Sequence, residues 1–275
     1  MIGQKNTRAA QIRTDIGHPV IDADGHIIET TPVFKEFFLQ YVTELGGADM
    51  AARFENSAGL DYDDTVLRPW SKLSEQQRKD MWLPRPPWWT VPTGSTLDRA
   101  TSHIPRLMYE RLPDFGIDFA ILYPSRALTT TSIPEAELRQ VACRAFNAFN
   151  AEVYAPYSDR MTCVAQIPMH TPEEAIEALE HAVGELGFKA IMINGLVHRP
   201  VKGSAEGIDD KDVPNWGGGA STRIDSLGID SEYNYDPFWQ RCIDLGVSPA
   251  THSPGMGWGA RRSISNYQFN HIGNF

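Results

Sequence analysis

Val20-Ile21-Asp22-Ala23-Asp24-Gly25-His26-Ile27-Ile28-Glu29 opens as a buried strand opens and then turns polar. In an extended chain Asp22, Asp24 and His26 stand two residues apart and share one face. Two carboxylates and an imidazole on a core strand are costly to bury without a partner. A divalent cation is the partner that suits this donor set. The competing reading is a turn, because Asp-Gly is a common hairpin pair.

Downstream, the pattern becomes regular. Asp118-Phe-Ala-Ile-Leu-Tyr-Pro124, Met161–Pro168, Lys189–Asn194 and Val247–Thr251 are short apolar runs bounded by Gly, Pro or polar residues, and they read as buried strands. Between them lie helical patterns. Leu138, Val141, Ala142, Ala145, Ala148, Phe149 and Val153 form one stripe. Ala175, Leu179, Ala182 and Leu186 form a second, with Gly187 as terminator. Ser132-Ile-Pro-Glu135 and Thr171-Pro-Glu-Glu174 have capping-box spacing, and Asp236-Pro-Phe-Trp239 starts a further helix. Five strands thus alternate with helices, and no pair is joined by a hairpin signal. This predicts a parallel sheet of the α/β class. A (β/α)₈ barrel and a doubly wound sheet both satisfy the pattern. Neither a dinucleotide-binding glycine motif after strand one nor a phosphate-binding loop is present. Polar residues follow the strands at their C-terminal ends, as barrel active sites require: Asp24 and His26, Ser125 and Arg126, His170, Asn194 and His198, then His252.

The remaining segments are less regular. Residues 1–18 read as a polar lead-in, and the domain proper as 19–275. Thr30-Thr31-Pro32 opens a short helix through Phe34, Phe37, Phe38 and Tyr41. Insertions are expected at about 45–97 and 198–234. The first includes a short helix at 74–81 and ends in a tryptophan-rich stretch with Trp82, Trp88 and Trp89. Residues 98–115 read as a helix whose true start is marked by Pro105.

Composition narrows the function. At 275 residues and 41% hydrophobic, the chain can bury a sizeable core. Its formal net charge of −10 argues against nucleic acid or an anionic membrane surface as partner, and an anionic substrate would need a local cation. The three cysteines, Cys143, Cys163 and Cys242, are distant and in apolar contexts, as buried thiols in a reducing compartment are. The first residues hold no apolar signal segment, and no run is long enough to span a membrane. A cytoplasmic protein is the expectation.

The Asp24-Gly25-His26 motif, Tyr123-Pro124-Ser125 after strand two, and Asp236-Pro-Phe-Trp239 leading to Ala250-Thr251-His252 resemble the amidohydrolase-2 branch of the amidohydrolase superfamily. That branch includes aminocarboxymuconate semialdehyde decarboxylase and γ-resorcylate decarboxylase. The resemblance implies a metal-dependent (β/α)₈ barrel. It implies Asp24, His26 and His252 as ligands of a divalent ion, zinc first, with manganese or iron as alternatives. Asp22 then becomes a supporting carboxylate, while Glu29, His198 and His271 stay open. Arg126, His170, Trp88 and Trp89 are the candidate substrate contacts. The family's late aspartate ligand has no match here, and residues 266–275 resemble the helix after strand five. The expectation is therefore an incomplete barrel with about five of eight strands, a fragment of a longer product. The implied activity is a metal-dependent decarboxylase (carboxy-lyase) or hydrolase of a small aromatic or cyclic carboxylic acid, with a homodimer as an allowed assembly. The alternatives are a catalytically inactive fragment or a non-enzymatic binding protein, and, further off, a doubly wound sheet with a non-metal site.

Overall fold

A computed structural model of the chain describes residues 7–29, 31–55, 68–83, 94–200, 222–228 and 231–252. Its strands are β1 (Ile21–Ile27), β2 (Phe119–Pro124), β3 (Met161–Ile167), β4 (Ala190–Ile193), β5 (Val197–Pro200), β6 (Thr222–Asp225) and β7 (Pro249–Thr251). Its helices are α1 (Arg8–Asp15), α2 (Thr31–Glu55), α3 (Arg68–Lys72), α4 (Glu75–Asp80), α5 (Thr96–His103), α6 (Pro105–Arg111), α7 (Ala136–Tyr154), α8 (Pro172–Glu180) and α9 (Asp236–Leu245).

Five strands form one parallel sheet in the order β1-β2-β3-β4-β7. Each strand adds to the same side of the one before. A doubly wound sheet reverses its order partway and keeps its first strand inside, so that alternative is excluded for this sheet. The two faces differ as well. On one face Met161, Cys163, Ala165 and Ile167 of β3 pack with Ala175 and Leu179 of α8 and Phe238 and Cys242 of α9. The other face carries Tyr123, Val164 and Met192, joined by Leu128. A helix-covered outer face and an inward face filled by its own side chains describe the wall of a barrel. Among the described residues, these five strands form part of such a wall.

Local chemistry explains the helix boundaries. The Thr171 hydroxyl accepts the Glu174 N–H and Pro172 opens α8. α9 stops at Gly246, whose φ of 66° ends the helix without a Cβ penalty. Ser74 and Gln77 form a full capping box on α4. The helix expected over 98–115 is divided: α5 ends at His103, and α6 begins at Pro105, the start the sequence marks. Phe34 of α2 stacks on Phe146 of α7 and Phe38 packs tilted against it, both at 4.8 Å, and this aromatic cluster fastens α2 outside the sheet.

Several expectations need correction. The polar lead-in contains α1, which buries none of its residues. It is tied down instead by polar contacts: Arg13 Nε donates to Asp118 Oδ2 at 2.6 Å, and the same oxygen accepts the Val20 N–H at 2.7 Å. Residues 45–55 are not irregular, because α2 runs on to Glu55 past an interruption at Gly47, where φ is 81°. Ser132 does not cap α7; it lies in a 3₁₀ turn (Ala127–Ser132), and Glu135 stands at the N-cap. β5 and β6 pair antiparallel, with Val197 opposite Asp225, in a region that carries no hairpin signal. The Asp22–His26 alternation is also broken. β1 and β2 shift register between Asp22, opposite Ala120, and Gly25, opposite Leu122, so β1 carries one extra residue there.

Gly25 makes that irregularity fit. A Cβ at this position would lie 2.9 Å from Leu122 Cδ2 and 3.0 Å from the Ile121 carbonyl oxygen. Backbone cannot yield as a side chain can, so Gly25→Ala is expected to destabilise the fold by roughly 1–3 kcal/mol. Chemical denaturation of both proteins measures it, and an Ala variant as stable as the parent would contradict this packing.

Candidate metal centre

The extra residue in β1 places Asp24 and His26 at the upper end of the sheet's inward face. The Asp24 N–H donates to Asp22 Oδ1 at 3.1 Å, so Asp22 braces the turn. His252 follows β7 directly, at the opposite edge of the sheet. The three side chains nevertheless meet. His26 Nε2 lies 3.2 Å from His252 Nε2, and His252 Nε2 lies 3.2 Å from Asp24 Oδ1. His26 Nε2 and Asp24 Oδ1 are 3.8 Å apart. Among the described residues these three form a group whose donor atoms all lie within 4.8 Å of one another. His252 is buried, His26 half-buried and Asp24 exposed.

The spacing suits one cation. Two imidazole nitrogens bound about 2.1 Å from a common ion stand roughly 3.0–3.4 Å apart for right-angle to tetrahedral geometry. The observed 3.2 Å falls inside that range. The Asp24–His26 separation corresponds to a wider angle at the ion. Two imidazoles and a carboxylate are borderline-to-hard donors, as zinc, manganese and iron accept.

Tyr123, the first residue of the Tyr123-Pro124-Ser125 motif, lies against both histidines, a place the motif alone does not assign it. Its ring centroid is 4.7 Å from that of His252 and 5.9 Å from that of His26. Its advance signal is its place in that motif, two residues before the sequence turns polar.

The other candidates among the described residues are not brought into this group. Arg126 lies in the turn after β2, where its N–H donates to Glu29 Oε2 at 3.0 Å and its Nε donates to the Glu29 carbonyl at 3.1 Å. Glu29 is therefore the clamp of that turn. Burial pushes its carboxyl up to about 7, against the lowering effect of the Arg126 and Ala127 N–H groups and the Arg126 charge. His170 follows β3. Burial pushes its imidazole down to about 3, and the nearby Arg139 and Arg199 charges act in the same direction, so it is neutral at physiological pH. Trp88, Trp89 and His271 lie outside the described residues. His198 is exposed on β5, opposite Ile224.

Two buried polar networks lie beyond the ends of β3 and β4. Asn194, which follows β4, accepts from the Thr131 hydroxyl at 2.7 Å and donates to the Thr131 carbonyl and to Ser132 Oγ, each at 3.1 Å. Arg199 pairs with Asp225 and donates to the Tyr235 hydroxyl at 3.0 Å, and Tyr235 donates in turn to the Met169 carbonyl at 2.7 Å. This second network ties β5, β6 and the start of α9 to the end of β3.

Comparison with known proteins adds the family. The amidohydrolase-2 family model, described as Amidohydrolase, matches residues 21–267. Among solved structures, 2,6-dihydroxybenzoate decarboxylase from Rhizobium is 19% identical with a TM-score of 0.44; the match covers 86% of this chain and 50% of that one. Dihydroxybenzoic acid decarboxylase from Polaromonas sp. JS666, with bound manganese and 2-nitroresorcinol, is 18% identical with a TM-score of 0.46 over 86% and 50%. 5-Carboxyvanillate decarboxylase from Novosphingobium aromaticivorans, complexed with manganese, is 13% identical with a TM-score of 0.46 over 92% and 54%. The chain thus spans about half the length of these structures.

The Glu29 environment generates a pH test. In the unfolded chain this carboxyl ionises near 4.5, and in the folded chain near 7. Between those values the folded state holds a proton that the unfolded state has lost, so the contribution of Glu29 to stability falls as pH rises through that window. Glu29→Gln keeps an acceptor for the Arg126 N–H and removes the buried charge. Its stability relative to the parent is expected to improve from pH 5 to pH 8, by on the order of 3 kcal/mol at most. Denaturation curves at both pH values measure the change, and a pH-independent difference would contradict the buried, raised carboxyl.

Proposed function

The chain belongs to the amidohydrolase-2 family, and from that premise we propose that it acts as a metal-dependent carboxy-lyase or hydrolase on a small aromatic or cyclic carboxylic acid. One observation supports the reading above others. Two imidazoles and a carboxylate from opposite edges of a five-stranded sheet converge at the C-terminal ends of its strands, where barrels of this kind carry their chemistry. Asp24, His26 and His252 are the residues that would hold the ion. Zinc is our first choice, and manganese and iron suit the same donors. A divalent ion supplies Lewis-acid chemistry at such a site, polarising substrate oxygens and acidifying water.

The other residues have proposed roles that follow from their surroundings. Arg126 is the cation for a substrate carboxylate, since a chain of net charge −10 must supply a local positive group for an anion. Its backbone and Nε are already fixed by Glu29, so its side chain is held before any ligand arrives. His170, neutral at pH 7, offers a hydrogen-bonding group that adds no charge. Trp88 and Trp89 are proposed to face a flat ring. The inward face beneath the three ligands is lined by Tyr123, Val164 and Met192, an apolar floor that suits a cyclic substrate better than a highly charged one.

Metal titration into metal-stripped protein is the first test. One divalent ion per chain is expected, with His252→Ala weakening binding by more than about 100-fold. Metal-loaded protein is then given hydroxybenzoates, and release of carbon dioxide is expected. Amide or ring cleavage without carbon dioxide would move the activity to the hydrolase side. Protein that holds its ion but catalyses neither reaction would contradict the proposed enzyme.

A further inference from the structure

Tyr123 is the direct strand neighbour of His26 in the β1–β2 register. Its ring tilts 34° to His252 at 4.7 Å and 38° to His26 at 5.9 Å. The two imidazoles meet edge-on at 72°, with centroids 4.9 Å apart. Three rings therefore close a triangle on the inward face. Tyr123 itself is only 6% exposed and is backed by Leu128, Val164 and Met192. Its hydroxyl makes no hydrogen bond among the described residues.

An ion shared by two histidines needs both Nε2 lone pairs aimed at one point. The torsion that aims an imidazole is broad and shallow. A free ring spends much of its time turned away, and orienting it on binding costs entropy. Metal-binding histidines usually gain their orientation from hydrogen bonds made by the other ring nitrogen. Here a rigid aromatic wall also touches both rings at once, and that wall is itself held by three packed side chains.

We propose that Tyr123 is a positioning residue of this centre, presetting the His26 and His252 rings for a divalent cation through its aromatic face and not its hydroxyl. The proposal rests on the metal-centre reading given above. It differs from that reading in what it requires: the ring must matter, and the oxygen must not.

The test is calorimetric titration of Mn²⁺ and Zn²⁺ into metal-stripped wild-type protein, Tyr123→Phe and Tyr123→Leu, with thermal melts of the metal-free forms to establish folding. Tyr123→Phe is expected to bind within about threefold of wild type, and Tyr123→Leu to bind about 10–100-fold more weakly, the range seen when a ligand-orienting neighbour is lost. Visible absorption of the Co²⁺-loaded Leu variant is expected to differ from wild type, since the ligand geometry relaxes. Leu binding as tight as wild type with an unchanged Co²⁺ spectrum would overturn the proposal. So would Phe binding as weakly as Leu, which would hand the role to the hydroxyl. A wild-type protein that binds neither ion overturns the metal-centre reading itself. One further measurement needs no variant. Long-range ¹H–¹⁵N spectra of metal-free wild type are expected to show one sharp set of signals for each of these two imidazoles. Exchange-broadened or multiple sets would overturn the proposal even if Tyr123→Leu cannot fold.

Discussion

The approach of His26 to His252 is the contact on which the rest of the arrangement depends. These residues stand on the first and last strands of a five-stranded sheet. Neighbouring strands lie 4.7–4.9 Å apart, so a flat sheet would hold the two edges about 19 Å apart. A nitrogen-to-nitrogen distance of 3.2 Å is met only if the sheet curls toward its inward face. Curl of that degree belongs to a barrel wall, whose strands tilt and stagger as they close. The contact is thus both the proposed chemical centre and the evidence for the shape. It also explains why β1 cannot be a plain strand. The extra residue between Asp22 and Gly25 turns Asp24 toward the histidines, and bulges next to functional groups are a common device for re-aiming a side chain.

The curl has to be held from outside, and the outer layer shows how. β2 pairs with β3 from Ala120–Met161 to Leu122–Cys163. Farther along β3, the Gln166 peptide finds a side chain in place of a strand. Asn147 of α7 donates to the Gln166 carbonyl at 3.0 Å and accepts its N–H at 2.7 Å. A buried peptide group left unpaired would cost on the order of 1–3 kcal/mol, so this amide lets the two strands part without that penalty. α7 is in turn fixed to α8 by Arg139, whose Nε and Nη2 donate to the two Glu174 oxygens at 2.8 and 2.9 Å. Its Nη1 donates to the carbonyls of Ile133 and Pro134. Such a buried pair is weak evidence for net stability, but breaking it by removing one partner is expensive. It therefore sets where α7 can sit, and through Asn147 where the sheet can open.

Much of this was legible in the residues alone, for identifiable reasons. The parallel sheet followed from five near-continuous apolar runs separated by amphipathic stripes, because burial on both faces leaves that imprint. Asp24, His26 and His252 stood out because charged or basic groups at the ends of apolar strands demand an explanation. What stayed hidden depends on contacts that spacing does not encode. A strict two-residue alternation predicted Asp22, Asp24 and His26 on one face, whereas the bulge sends Asp22 to brace the backbone. α1 buries no apolar residue, so it left no stripe to read, and its anchors are polar and distant in sequence: the Arg13–Asp118 ion pair and the Thr7 hydroxyl donating to the Asp114 carbonyl. Tyr123 stood in a motif that gave it no role, and only the register against His26 and the curl toward His252 reveal its neighbours. Arg126 could be picked out as a cation after a strand, but its hold by Glu29 depends on two strand ends meeting in space.

The central claim is that the curled sheet delivers two imidazoles from its opposite edges to one ion. X-ray absorption at the edge of a bound Zn²⁺ or Mn²⁺ reads this most directly, because imidazole rings leave a distinctive multiple-scattering pattern. Two imidazole nitrogens are expected, at about 2.0–2.1 Å for zinc, alongside oxygen ligands. His26→Ala and His252→Ala should each remove one imidazole contribution from whatever ion remains bound. A spectrum with oxygen ligands alone, or an imidazole count unchanged by either substitution, would contradict it.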